Sequence, residues 1–354
     1  MIARFSDEVT KKEEERHAKF LKKALAISGG GAKGAFAVGV LKHLFKTYRN
    51  TGWFSITGGT STGALISPIA AVMGAKDPMG TEAFETLEHM YTNVSTPDIL
   101  EKQSIFELIG RHDCLYESDP LNDLIHRQFR PAWFEWLQSP STPHCYVVYT
   151  NYQTGQKVAM SPKENGMTQE RFIKGMLASA SVPVVMEATI IDDTDVCYDG
   201  GVRDLLPFGN AIELGAETIV PIFLDLEEFP KTKSRFRRMD KILLRTLSIL
   251  VDETGRNDFA MANLINIGIQ AKEEILSAFS QDQAALQKIK KVFNAEKYKA
   301  MFGSEKRLIS IITGLMPDVS LTEDSLTFDP VKMKSWVELG EKKASDVIQA
   351  SPFA

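Results

Sequence analysis

The feature of this sequence that most limits its fold is a pair of glycine-rich turns, at residues 29–34 and 59–63. Each follows a short apolar run, at residues 24–28 and 54–57, and each precedes apolar side chains at helical spacing. The resulting order is strand, helix, strand, helix, with crossovers of about ten to eighteen residues. Such crossovers join parallel strands in right-handed βαβ units. The chain is therefore predicted to have a three-layer α/β/α fold with a mostly parallel central sheet.

Later apolar runs extend the predicted sheet. Five of them have the length of buried strands, and they cover residues 144–150, 156–160, 188–191, 218–224 and 308–312. A long amphipathic pattern interrupts this series after residue 230. We therefore predict one α/β domain, formed by residues 24–230 and 306–350, that contains a helical insertion at residues 231–305. Residues 1–23 are predicted to form a charged N-terminal arm.

The composition excludes several other classes of protein. With 354 residues, 44% hydrophobic and 25% charged, the chain is an ordinary globular one, and its net charge of −5 excludes a globally basic nucleic-acid-binding protein. Cys114, Cys145 and Cys197 form no CxxC pair, which indicates free, buried thiols in a reducing compartment. Neither a signal-peptide h-region nor an apolar run of ~20 residues is present, so we expect a protein that is cytoplasmic or peripheral to a membrane.

The second glycine-rich turn has the pattern GxSxG. A serine hydroxyl is a weak nucleophile, and a sharp strand-to-helix turn holds it clear of its own backbone, where a base and a substrate can reach it. Ser61 is therefore the candidate nucleophile, and the elbow around it consists of Gly59, Thr60, Thr62 and Gly63. The alternative is a glycine-rich helix cap in which Ser61 only caps the helix.

The first glycine-rich turn formally matches GxGxxG, so a dinucleotide-binding loop is an alternative for it. Such a loop requires an acidic residue about 20 positions later, and residues 46–59 contain no Asp or Glu. Beside a GxSxG serine, the loop is better suited to be an oxyanion hole, whose amides stabilise the charge of a tetrahedral intermediate. The candidate residues of this hole are Gly29, Gly30, Gly31 and Ala32.

The general base is the third element that a serine hydrolase requires. None of the four histidines that follow Ser61 lies in a sequence context typical of a catalytic residue. A short apolar run instead ends in Asp199, which Gly200 and Gly201 follow. A buried carboxylate at this position would have a pKa above the ordinary value of about 3.9 and could accept the serine proton directly. The alternative is an ordinary Asp-Gly turn.

The three motifs, in this order and with these separations, resemble those of the patatin-like phospholipases. This family consists of lipid acyl hydrolases that use a Ser–Asp dyad and are related in mechanism to cytosolic phospholipase A2. Two further blocks, at residues 178–183 and 207–216, resemble the sequence on either side of the family's catalytic aspartate. The resemblance covers residues 24–225 and, more weakly, residues 307–348.

The resemblance assigns a role to each motif. It makes Ser61 the nucleophile that accepts the acyl group, Asp199 its general base, and residues 29–31 the oxyanion loop. Lys33 stands where the family often has arginine, which implies contact with a lipid head group. A solvated cation on the first helical turn is the alternative for Lys33.

The reaction that the resemblance implies is hydrolysis of a lipid acyl ester, with phospholipase A-type release of a fatty acid as the favoured form. The implied partner is a phospholipid or another acyl-lipid substrate, with no metal or redox cofactor and no nucleic acid. Three alternatives stay open: an esterase or thioesterase on a non-phospholipid substrate, a catalytically silent lipid-binding regulatory relative, and a nucleotide-binding enzyme. The sequence does not set the head group or the oligomeric state.

Two segments have the composition of lipid-facing elements. Residues 133–137 place three aromatic side chains on one short element, which is either a lid or interfacial anchor, or part of the core. Residues 231–245 contain seven Lys or Arg and one Asp, which predicts either contact with anionic lipid or a solvated helix start.

Overall fold

A computed structural model of the chain describes residues 23–102, 114–226, 237, 239–298, 308–312, 314–322 and 324–350. The strands in these ranges are β1 (Lys23–Ile27), β2 (Ile56–Thr60), β3 (Glu101–Lys102), β4 (Tyr116–Glu117), β5 (His144–Asn151), β6 (Gln156–Met160), β7 (Thr189–Ile191), β8 (Asp195–Asp199), β9 (Thr218–Ile222) and β10 (Ser310–Ile311). The α-helices are α1 (Gly34–Gly52), α2 (Thr62–Met73), α3 (Met79–Asn93), α4 (Asp119–Gln128), α5 (Pro131–Gln138), α6 (Gln169–Ala180), α7 (Phe208–Glu213), α8 (Met239–Ala278), α9 (Gln283–Phe293) and α10 (Pro330–Ala350).

The central sheet has the order β10-β9-β1-β2-β5-β8-β7, and β6 pairs with β5. The five strands from β10 to β5 are parallel, whereas β8, β7 and β6 are antiparallel to their neighbours. The prediction of a mostly parallel sheet is therefore confirmed. Because β1 and β2 are adjacent and parallel, the two glycine-rich turns that follow them lie side by side at one edge of the sheet.

Both faces of the sheet are covered, and alternate residues of β1 belong to different cores. Leu25 and Ile27 lie in the core that contains α1, α2 and α6. Ala24 and Ala26 lie in a second core, which includes side chains of α7 and α8. This arrangement of three layers explains why β1 is continuously apolar, since neither of its faces meets water.

The C-terminal helix α10 packs closely against α1. A Cβ atom at Gly39 would overlap the carbonyl oxygen of Val337, and one at Gly340 would overlap that of Phe36. The two glycines therefore allow the helices to approach at their point of closest contact. Since β10 also pairs with β9, residues that follow α8 and α9 return to the same sheet and core. We retain the division into an α/β domain and a helical insertion as a proposal.

Several assignments from the sequence need comment. Residues 1–22 of the arm, and residues 231–236 and 238 of the basic run, lie outside the described residues. The three cysteines are buried and no disulfide joins them, as predicted. Trp133, Phe134 and Leu137 of α5 are buried in the core, so the interpretation of this segment as a lid or anchor is wrong. Their burial against Phe129 and Phe172 is the physical reason.

Candidate active site

The turn between β2 and α2 places Ser61 in a conformation that few residues other than glycine adopt. Its φ of 56° and ψ of −126° identify a strained elbow. A Cβ at Gly59 would overlap the backbone of Gly63, and a Cβ at Gly63 would overlap the carbonyl oxygen of Ile27. Both glycines are therefore required for the chain to turn this sharply against the end of β1.

The register of the sheet brings Asp199 towards this elbow. Thr60 pairs with Val148 of β5, and the next residue of β5, Tyr149, pairs with Asp199. The end of β8 therefore lies at the level of Ser61, with only β5 between them. The Gly201 amide donates to Asp199 Oδ1 at 2.7 Å, which fixes the orientation of the carboxylate.

Burial dominates the electrostatics of Asp199. It raises the pKa of this carboxyl from its ordinary value of 3.8 to about 6, while hydrogen bonds from the Ser61 hydroxyl and the Gly201 amide act in the opposite direction. A carboxylate with a pKa near 6 is still ionised at neutral pH, but it is a better proton acceptor than one in water. The Ser61 hydroxyl lies close enough to this carboxyl to lower its pKa, and both residues line the same cavity.

The C-terminal end of α6 positions both residues through their backbones. The Ser61 amide donates to Ser179 Oγ at 2.9 Å, and Ser179 Oγ donates to the Val148 carbonyl. The Asp199 amide donates to the Ser181 carbonyl at 2.8 Å. No role was predicted from the sequence for Ser179 or Ser181, although both belong to the small-residue block at 178–183. Their small size is the signal that could have identified a close contact with the site.

The glycine loop lies beside Ser61, but its residues are not equivalent. Gly31 has a φ of +56°, and a Cβ there would overlap the Ser325 carbonyl. The same carbonyl accepts the Ala32 amide at 2.8 Å. Ala32 is therefore unavailable as an oxyanion donor in this structure. Among the described residues, no acceptor is found for the amides of Gly29, Gly30 and Gly31, which leaves them as the candidate donors.

Lys33 is not a solvated cation. Its side chain is buried, and its Nζ lies 2.5 and 2.6 Å from the two carboxylate oxygens of Asp225. Asp225 follows β9, a strand adjacent to β1, so the pair joins the ends of two neighbouring strands. A phosphate that binds Lys33 would have to compete with this ion pair.

A cavity of about 430 Å³ opens at this edge of the sheet. Its polar end contains Gly29, Gly30, Gly31, Ser61 and Asp199, together with Lys33 and Asp225. The remaining lining is mostly aliphatic or aromatic and includes Leu65, Met90, Tyr91, Val94, Ile99, Leu100, Leu121, Leu124, Met186, Leu326 and Phe328. The cavity thus brings the candidate nucleophile, base and amide donors together with a wall suited to an apolar chain.

Other candidate groups lie away from this cavity. Of the six histidines, His17 and His112 fall outside the described residues, and the other four do not line the cavity. The described residues contain no cluster of three or more His, Cys, Asp or Glu suited to a metal ion. Within the same part of the chain, no helix combines the length and apolar character needed to span a bilayer.

Comparison with known proteins gives consistent matches. A family model described as "Patatin-like phospholipase" matches residues 25–212, which is more than half of the chain. Patatin-like phospholipase domain-containing protein 6 from Mus musculus and from Homo sapiens is 27% identical over 199 residues, which cover 56% of this chain but only 13% of each relative. Among solved structures, VipD from Legionella pneumophila aligns over 93% of this chain and 67% of its own, with a TM-score of 0.46 and 12% identity.

Proposed function

Because the chain belongs to the patatin-like phospholipase family, we propose that it is a lipid acyl hydrolase that uses Ser61 as nucleophile and Asp199 as general base. The observation that carries this proposal is that Ser61 lines the same cavity as a buried carboxylate, Asp199, whose pKa is raised to about 6. An ordinary Asp-Gly turn would leave the carboxylate in water, where it is a poor base.

The proposed reaction has two halves. In acylation, Ser61 Oγ attacks the ester carbonyl carbon while its proton moves to Asp199, and the amides of Gly30 and Gly31 stabilise the oxyanion. The tetrahedral intermediate collapses when the bond to the alcohol breaks, and this leaving group takes the proton from Asp199. In deacylation, Asp199 accepts a proton from water, the hydroxide attacks the acyl-enzyme, and the proton returns to Ser61 Oγ as the fatty acid leaves.

The favoured substrate is a phospholipid that releases one fatty acid, as in a phospholipase A-type reaction. The apolar lining of the cavity supports an acyl chain at this position. A second candidate is an esterase or thioesterase on an uncharged acyl substrate. The ion pair between Lys33 and Asp225 favours this candidate. Lys33 already donates to both carboxylate oxygens of Asp225, so it is less able to bind a charged head group.

The direct test measures fatty-acid release from mixed phospholipid vesicles and from a soluble short-chain ester. The proteins compared are wild type, Ser61→Ala, Asp199→Asn and, as a matched surface control, Asp192→Asn. We expect both site variants to lose about a thousandfold or more of the rate while they remain folded, and the control to keep it. Hydrolysis of the soluble ester without phospholipid release would favour the second candidate.

Covalent labelling separates a missing substrate from a missing active site. A fluorophosphonate is expected to modify wild-type protein at Ser61 and to leave Ser61→Ala unmodified. A wild-type protein that neither hydrolyses any of these esters nor reacts with the probe would contradict the proposed dyad. It would support the catalytically silent, lipid-binding alternative.

A further inference from the structure

Helix α8 presents large apolar side chains to solvent along one side. Seven of them are between 41% and 64% exposed: Ile242, Ile249, Leu250, Met261, Leu264, Ile267 and Ile275. At 3.6 residues per turn, all seven fall within roughly 120° of arc. Isolated exposed apolar residues are common, but a row of them on one helix face marks an interaction surface.

The same helix forms part of the cavity wall. Leu244, Leu247 and Val251 of α8 line the cavity that contains Ser61. Ile249 and Leu250, which lie between these residues in sequence, are among the exposed ones. At 3.6 residues per turn, Leu244, Leu247 and Val251 fall on the side of α8 roughly opposite the exposed row, so one side of this helix lines the cavity and the other side faces solvent.

The next helix adds positive charge. Residues 283–298, which include α9, contain four lysines and one glutamate, on a chain whose net charge is −5. Lys288, Lys290, Lys291 and Lys297 are all exposed. A basic, amphipathic helix beside an apolar row is complementary to a bilayer with anionic head groups, which offers both hydrocarbon and negative charge.

We propose that the exposed apolar face of α8, together with the lysines of α9, is a docking surface for a lipid bilayer that contains anionic lipid. This inference rests on the proposed lipid hydrolase function, and it adds the surface by which the enzyme reaches its substrate. Docking there would place α8 at the lipid surface, with its opposite side against the cavity. The α8–α9 surface lies outside residues 25–212, the part matched by the family model.

A second copy of the chain fits this surface less well. Glu253 and Asn257 fall within the same arc and interrupt the apolar row between Leu250 and Met261. In a helix pair formed along this row, both polar side chains would lie in the seam, where an unpaired glutamate is costly to bury. At a bilayer surface they can remain among head groups and water.

Vesicle co-sedimentation tests the proposal, with a Ser61→Ala background that prevents consumption of the lipid. The vesicles contain phosphatidylcholine alone or phosphatidylcholine with phosphatidylserine. One double variant carries Leu264→Glu and Ile267→Glu, a second carries Lys290→Glu and Lys291→Glu, and the control Val331→Glu alters an exposed apolar residue of α10. We expect each double variant to lose about tenfold or more of its binding to the mixed vesicles, and the control to lose none.

Soluble-ester hydrolysis by the same double variants, with Ser61 intact, separates this inference from the proposed function. Neither double variant alters a cavity residue, so we expect an unchanged rate on a dissolved short-chain ester. Vesicle binding that is equal in all variants, or absent in the parent protein, would overturn the docking surface even if the ester is hydrolysed. Loss of ester hydrolysis in Ser61→Ala, but not in the double variants, supports the proposed function. It does not affect the conclusion from vesicle binding.

Two further measurements exclude other occupants and misfolding. If light scattering shows that the parent protein is a dimer and that Leu264→Glu with Ile267→Glu makes it a monomer without changing vesicle binding, the face belongs to a second copy. If the variants do not fold, hydrogen exchange of the parent protein tests whether the bilayer contacts this surface. Added mixed vesicles are expected to protect amides in residues 260–293, and unchanged exchange there would contradict the proposal.

Discussion

Asp199 should lower the stability of this protein at neutral pH, because the residue proposed as the base is also a buried charge. Its pKa is about 6 in the folded protein and 3.8 as an ordinary carboxyl. Between these values the folded state binds more protons than the unfolded state, so the free energy of unfolding falls as the pH rises. The cost is fully present above about pH 7 and nearly absent below about pH 3. Replacement by asparagine removes it.

The structure sets the size of this effect. The difference of about two between the folded and unfolded pKa values corresponds to about 3 kcal/mol of unfolding free energy. Because the carboxyl is fully buried, solvent does not screen this effect. In Asp199→Asn, the amide oxygen can still accept the Gly201 amide, which the carboxylate accepts at 2.7 Å. We therefore expect Asp199→Asn to be more stable than wild type at pH 8 by about 2 to 3 kcal/mol, or roughly 5 °C in Tm.

Guanidinium unfolding of wild type and Asp199→Asn at pH 8 and pH 4 measures this difference. The gain is expected at pH 8 and should fall below about 1 kcal/mol at pH 4, where the folded-state carboxyl is protonated and the unfolded-state carboxyl is only partly ionised. Asp192→Asn is a useful control, because Arg171 lowers the pKa of that carboxyl and its pH dependence has the opposite sign. An equal effect of Asp199→Asn at both pH values, or destabilisation at pH 8, would refute the reasoning.

Three further substitutions test the surroundings of the site. Ser179→Ala removes the acceptor of the Ser61 amide and should lower kcat about tenfold with little change in KM, measured on a soluble ester. Gly31→Ala should lower kcat about a hundredfold, whereas Gly155→Ala, which also has a positive φ but adds its Cβ in open space, should leave kcat unchanged. Asp225→Asn removes the carboxylate charge that competes with a phosphate for Lys33. This variant should therefore have a higher rate on anionic phospholipids relative to uncharged esters. If the ratio of the two rates is unchanged, Lys33 does not contact the head group.

The sequence predicted those parts of the site that local backbone geometry requires. A GxSxG elbow and a glycine loop after two consecutive strands leave little freedom, since Gly31, Gly59 and Gly63 each lie against backbone atoms that a Cβ would overlap. The α/β class followed from the same periodicity. The placement of Asp199 also required the register of β5 and β8, which the sequence pattern does not reveal.

What could not be predicted depends on contacts between distant residues. Lys33 pairs with Asp225, which is 192 positions away, so its partner could not be inferred from its own motif. The role of Ser179 and Ser181 depends on the packing of α6 against the elbow. For the aromatic segment at 133–137, apolar content alone did not distinguish a core helix from a lipid anchor, and only its burial against Phe129 and Phe172 does.

The hydrogen bond between Ala32 and Ser325 has a consequence for synthesis of the protein. The glycine loop leaves the ribosome early, but the carbonyl that holds it in place belongs to a residue almost 300 positions later. We expect a nascent or C-terminally truncated chain to contain Ser61 and Asp199 and still lack an ordered oxyanion loop. If the proposed function is right, synthesis would have to pass residue 325 before the site could cleave lipid, so a nascent chain shorter than this would be inactive towards nearby membranes.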